Sequence, residues 1–205
     1  MPSKTAALDL RGEVAALKRA RIIAAAVELF DKNGYENTTL EEIAQALGVT
    51  KPFIYAHFKS KVQLLAEICS YGIATSQRAL ESVMALKLSP YEKLNLFGGR
   101  FAKAVLEGRK QIAIFNREEK NLLPEDLESI NGLRRTFDRK LTDLLREGVK
   151  AGQFQIEDPH LATLSIGGMV SWSYVWYRET GRLSQEELAD HMNKFILNMV
   201  QAKPG

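Results

Sequence analysis

Lys51, Tyr55 and His57 have the types and spacing to do chemistry on a ligand. They lie beside the apolar Ile54 and Phe58 in a stretch short enough to make a brief helix. Polar and cationic groups at the N-terminal end of a short helix are what a helix entering a DNA major groove requires. Lys51, at the start of that helix, can donate to guanine O6 or N7. Thr50 is placed to cap the helix, and Pro52 comes early enough that its missing N–H costs little.

The preceding residues must position this helix. Leu40, Ile43, Ala44 and Leu47 recur at i, i+3, i+4 and i+7, so they form one apolar helix face. Thr39 with Glu42 three residues on is a capping-box start. Gly48 can take the left-handed conformation that ends a helix, and Val49 can plug the turn. An ordinary helical hairpin has the same spacing, so the flanks matter. Arg21 to Gly34 places Ile23, Val27 and Phe30 on one face before a Gly stop. Ser60 and Gln63 open a further helix with another capping-box pattern. The arrangement predicts a three-helix head with a fourth helix leaving it.

The 205 residues are 45% hydrophobic and 26% charged, the balance of a soluble globular chain. Net charge is only +3, with nine Lys/Arg against seven Asp/Glu in residues 1–65. Nucleic-acid affinity must therefore come from where the charges sit. The one cysteine, Cys69, excludes an internal disulfide and suits a reducing cytoplasm. It lies on an apolar helical pattern, as a buried, inert thiol does. No signal peptide is evident, and the uncharged run from Leu161 to Tyr177 is too short to span a membrane. It reads as a buried helix at a subunit interface.

The rest of the chain is punctuated helix. Expected helices run from Ser60 to about Leu86, from Ser89-Pro90 to Glu107, and from Arg109 to Lys120. Others run from Pro124 to about Ala151, from Asp158-Pro159 to about Glu179, and onward from a capping box at Ser184. The fold class is all-α, with a helix-turn-helix domain over 1–65 and a helical body over 66–205. Residues 1–16 read as a loose arm, whose Lys4 and Arg11 are candidates for touching a DNA backbone or minor groove.

An enzyme is disfavoured. Histidines occur only at 57, 160 and 191. Glu157 and His160 have a metal-site spacing, but Pro159 marks a helix start there and no second copy exists. Glu187 and His191 read as a solvated pair. No phosphate-cradling loop, nucleophile elbow or cysteine cluster is present, so no catalytic residue, metal or cofactor is expected. A helical DNA-binding or scaffold protein without a small ligand remains the alternative class.

The run AAAVELFDKNGYENTTLEEIAQALGVTKPFIYAHFKSKVQLL resembles the DNA-binding domain of the TetR family of bacterial repressors. The likeness rests on Leu-Phe before Asn-Gly, the Thr-Thr pair, Ile-Ala, Leu-Gly-Val, Tyr-x-His-Phe and the following Lys, across residues 17 to 66. The resemblance implies a DNA-binding head and a body that dimerises and holds an effector. It implies Thr39, Tyr55 and Lys61 on phosphates and His57 near the backbone. Lys51, Pro52 and Phe53 would face base edges, with Thr50 beside them. One short helix reads few base pairs, so specificity calls for a homodimer on a double-stranded palindromic operator. Its half-sites would lie about 34–36 Å apart or a multiple of that. The last two helices are the expected interface. There Gly167 and Gly168 allow close approach, and Trp172, Val175 and Trp176 supply apolar area.

The expected effector pocket draws on Phe97, Phe101, Phe115 and Phe137, with Trp172 and Trp176. Arg117 and Arg178 are its expected cations. The stretch GGMVSWSYVWYRETGRLSQEELAD is similar to the C-terminal region of family members that control lipid and steroid-ring catabolism and sense acyl-CoA thioesters. A CoA thioester, with an apolar acyl part and phosphates that arginine can grip, is therefore favoured over a free aromatic or drug-like compound. The long helix from Ser60 is the expected lever between effector and DNA.

Overall fold

The computed structural model describes residues 4–204, with side chains from Gly12 onward. Helix α1 covers Lys4–Asn33. It takes in residues 4–16, where the sequence suggests a loose arm. That segment is rich in Ala and Leu and free of proline, so local propensity favours helix despite Gly12. The contacts expected of Lys4 and Arg11 lie outside the described side chains. Helix α2 spans Leu40–Leu47, α3 Lys51–Tyr55 and α4 Lys61–Met84. Then come α5 (Pro90–Glu107), α6 (Arg109–Glu118) and a single 3-10 turn over Glu119–Asn121. The chain closes with α7 (Pro124–Lys150), α8 (Pro159–Ser171), α9 (Ser173–Trp176) and α10 (Gln185–Met199). No strand occurs among the described residues, and none of their helices is long and apolar enough to cross a membrane.

Contacts divide the chain into two units. The first holds the chain up to Cys69 together with Ile114–Leu123; the second holds Ser70–Ala113 and Pro124–Gly205. The expected division after residue 65 takes no account of the returning segment.

The core of the first unit is built from Ile22, Ala26 and Phe30 of α1, Ile43 of α2, Ile54 of α3, and Leu64 and Ile68 of α4. Ile22 rather than Ile23 is the fully buried residue of α1. Each such side chain contributes roughly 1.5–3 kcal/mol on leaving water. Ile114 and Phe115 are buried in this unit too. Arg117 fastens their segment, donating to the Phe30 carbonyl at 2.8 Å and to Glu118 at 3.1 Å. Burial, reinforced by Glu118 and Glu119, pushes the Cys69 thiol up to about 12, so it stays protonated and inert.

In the second unit α5 packs along α10, and α7 along α8. Gly98 permits the first contact: a Cβ there would lie 2.2 Å from Asn193 Oδ1. Phe97 stacks on Phe101 at 5.2 Å, and both meet Phe137 in the core. The buried hydroxyls of Thr142 and Thr163 bond to each other at 3.0 Å across α7 and α8.

The expected helix from Pro159 to Glu179 is broken. Helix α8 stops at Ser171, α9 is a single turn, and Tyr177 is extended with ψ 137. Ser171 Oγ donates back to the Gly167 carbonyl at 2.7 Å and Ser173 Oγ to that of Val170 at 2.7 Å. Such back-bonding bends helices, and the aromatic and β-branched run after it is a weak helix former.

Candidate nucleic-acid interface and effector cavity

Helix α2 is fixed by both of its ends. Thr39 Oγ1 accepts from the Glu42 N–H at 3.2 Å while Glu42 accepts from the Thr39 N–H at 2.7 Å. Gly48 ends the helix at φ 66, in the left-handed region that glycine adopts without strain. The chain then turns into α3. Thr50 stands at the N-cap with ψ 153, but its side chain makes no capping hydrogen bond. The hydroxyl role expected of it is corrected: Pro52 already removes one of the N–H groups a cap would serve.

On the outer face Thr39, Thr50, Lys51, Pro52 and Tyr55 are exposed. Tyr55 is 44% accessible, so it is not spent on packing within the head. Lys51 is ion-paired with Glu41 and lies 5.6 Å from the Tyr55 ring. Its hydrogen bond holds the Glu41 carboxyl below the usual range, and Glu41 raises the Lys51 ammonium in return. Phe53 and His57 are half-buried and meet edge to face at 5.3 Å, with the Lys18 ammonium 5.7 Å over the Phe53 ring. Phe53 is therefore partly spent on that cluster rather than fully presented to base edges.

Lys61 is bound within the head. Its ammonium donates to the carbonyls of Tyr35 at 2.8 Å, Thr38 at 2.9 Å and Glu36 at 3.3 Å, and sits 4.3 Å over the Tyr35 ring. An ammonium has three donors, and all three are engaged by the α1–α2 loop. Lys61 thus fastens the turn that carries Thr39.

Lys18, Arg19 and Glu41 did not stand out in the sequence. Arg19 donates to the His57 carbonyl and to Glu67, and lies 4.2 Å over the Phe58 ring, tying α1 to the α3–α4 connection and to α4. Only the structure brings these together, because the partners are 38 and 48 residues away.

The second unit has a partly open pocket of about 360 Å3. Its apolar walls include Ile73, Phe101, Val105, Phe137 and Leu164, and Ser76, Arg134 and Asp138 supply polarity. Burial raises the Asp138 carboxyl, against the opposing charges of His160 and Arg134. Of the expected pocket residues, Phe101 and Phe137 line this space. Phe97 is fully buried core instead. Phe115 and Arg117 belong to the first unit, because α6 contributes to both. Trp172 and Trp176 border a separate open groove of about 820 Å3, with Phe195, Arg182 and His191. Arg178 donates to the Val175 and Tyr177 carbonyls at 2.9 Å each, so its guanidinium is used locally.

Gly167 and Gly168 line the cavity, and a Cβ on either would meet nothing within 4 Å. Along α8, α9 and α10, Leu161, Leu164, Trp172, Trp176 and Phe195 are exposed, Trp172 to 60%.

A capped helix, a left-handed glycine turn and a short second helix bearing exposed Lys51 and Tyr55 define a helix-turn-helix DNA-binding regulator. Residues 22–68 match the family described as bacterial regulatory proteins, tetR family. Residues 87–200 match the tetracyclin repressor-like C-terminal domain. The chain belongs to the TetR family of transcriptional repressors. It is 29% identical over 195 residues to the HTH-type transcriptional repressor KstR2 of Mycolicibacterium smegmatis, covering 93% of this chain and 94% of that protein. The TetR family transcriptional regulator PfmR of Thermus thermophilus superposes with a TM-score of 0.78 at 30% identity, over 90% of this chain and all of that one. AibR, solved in complex with isovaleryl coenzyme A and operator DNA, superposes with a TM-score of 0.74 at 28% identity, over 91% of this chain and 100% of that one.

Proposed function

We propose that this repressor binds a palindromic operator as a homodimer and is released by a hydrophobic small molecule, with an acyl-CoA thioester as the favoured effector. The cavity in the second unit carries the proposal: about 360 Å3 suits an acyl group but not a whole coenzyme, whose nucleotide would lie outside. Apolar Phe101, Val105 and Phe137 suit the acyl part, and Arg134 is the cation at that wall. The likeness to AibR, solved with isovaleryl coenzyme A, supports this choice. The runner-up, a free aromatic or drug-like compound, would fill the same space without phosphates.

The exposed large apolar side chains on α8, α9 and α10, with Trp172, Trp176 and Phe195 around one groove, support the homodimer. Release follows if the effector prefers a body shape in which the two heads no longer match the half-site spacing. Gly72, Ile73 and Ser76 of the cavity wall belong to α4, whose first residue is Lys61 of the head. Calorimetry and operator release with a panel of acyl-CoAs, their free acids and CoA alone test the proposal. Release by thioesters alone supports it; equal release by free acids removes the coenzyme from it.

A further inference from the structure

Glu41 is an acid on a surface that must meet a polyanion, and it is paired with Lys51, the cation at the start of α3. It is the second residue of α2, and its partner Lys51 is the first of α3, so the ion pair bridges the two helices of the motif. Both side chains are about half exposed, at 51% and 53%. The fold does not need Glu41 for capping, because Glu42 closes the box with Thr39. An exposed ion pair contributes little to stability. A carboxylate here also opposes the general attraction to phosphate that dominates non-specific binding. The first turn of α2 favours an acid through the helix dipole, which accounts for a negative charge here but not for its placement against Lys51.

Base readout would make use of that placement. A carboxylate is acceptor-only, and in the major groove its usual partner is the amino group of cytosine. Lys51 has three donors, so it can keep one on Glu41 and direct the others at guanine O6 and N7. We infer that Glu41 and Lys51 read DNA as one unit, Lys51 on a guanine and Glu41 on the cytosine amino group of the same or the adjacent base pair, which makes Glu41 a specificity-determining residue. By holding Lys51, Glu41 also keeps that ammonium from acting as an indiscriminate phosphate ligand.

The inference rests on the DNA-binding role of the head. Its test is selection by the full-length chain from a duplex library with randomised half-sites, comparing the unaltered protein with E41Q and K51M. Glutamine matches the shape of Glu41, and the site is exposed, so the fold is retained. The unaltered chain enriches a palindrome with a C·G pair in each half. E41Q, whose amide donates as well as accepts, relaxes the preference for cytosine over adenine at that one position by about tenfold, while its binding to unselected duplex tightens. K51M shifts preference at the same or the neighbouring position. If E41Q returns the same position-by-position ratios with tighter binding throughout, Glu41 is only a charge and the inference is overturned. If the unaltered chain enriches no sequence, the operator reading fails and this inference with it.

Discussion

The Lys61 ammonium donates to the Thr38 carbonyl at 2.9 Å, across 23 residues of sequence. With its bonds to Tyr35 and Glu36, this ties the start of α4 to the loop that delivers Thr39 to the outer face. Thr38 itself is fully buried and donates to the Gly34 carbonyl at 2.9 Å, so the loop is held from both sides.

Lys61→Met is expected to destabilise the head by about 1–2 kcal/mol, the loss of charge-assisted hydrogen bonds at a partly exposed site. Operator affinity falls, but the slope of log affinity against log salt stays as it was, because no phosphate contact is removed. Titrations at several salt concentrations check this. A slope lower by about one ion would return Lys61 to a phosphate.

Two glycines should respond in opposite ways. A Cβ at Gly148 would lie 1.9 Å from the Phe154 ring, so Gly148→Ala should cost about 1–3 kcal/mol through overpacking. A Cβ at Gly167 meets nothing within 4 Å, so Gly167→Ala should stabilise α8 by roughly 0.5–1 kcal/mol. The same change narrows the cavity and should weaken the effector response. Calorimetric melting of both variants, with effector titration of the second, decides the matter.

Acid should loosen the helix starts. Hydrogen bonds from the Ser89 and Ser184 N–H groups hold the Glu92 and Glu187 carboxyls below their ordinary value of 4.5. Because these groups are depressed in the folded state, their contribution is complete above 4.5 and is lost as pH falls through the folded values. Melting temperature should fall with pH in that range. The double variant E92Q/E187Q should show a shallower fall, and an unchanged slope would show that the boxes carry no acid sensitivity.

Phe195, exposed on α10, is expected to lie in the homodimer contact. Phe195→Glu should convert a micromolar dimer to monomer in sedimentation and abolish operator binding with it. A monomeric variant that still bound the operator would separate recognition from dimerisation.

Local signals were legible in the sequence; long-range partners were not. Thr39 with Glu42, Gly48, and Ser184 with Glu187 form the ends their spacing implies, and the helix expected from Ser89-Pro90 starts there, because a cap is decided within a few residues. Lys61, Arg19 and Arg117 were opaque, because each is defined by carbonyls distant along the chain. Phe115 and Arg117, expected at the effector pocket, fall in the first unit. Periodicity identifies an apolar face of α6 but cannot say which of two units buries it. The break after Ser171 was missed because absence of charge marks burial, not continuity of helix.

The most direct test of ligand-controlled repression is fluorescence anisotropy of the full-length chain on its selected operator, titrated with a series of acyl-CoA thioesters, the matching free acids and CoA. Release at stoichiometric thioester, with none from the acids or CoA alone, is the expected result. An operator complex that no thioester, acid or other hydrophobic compound dissociates would contradict it.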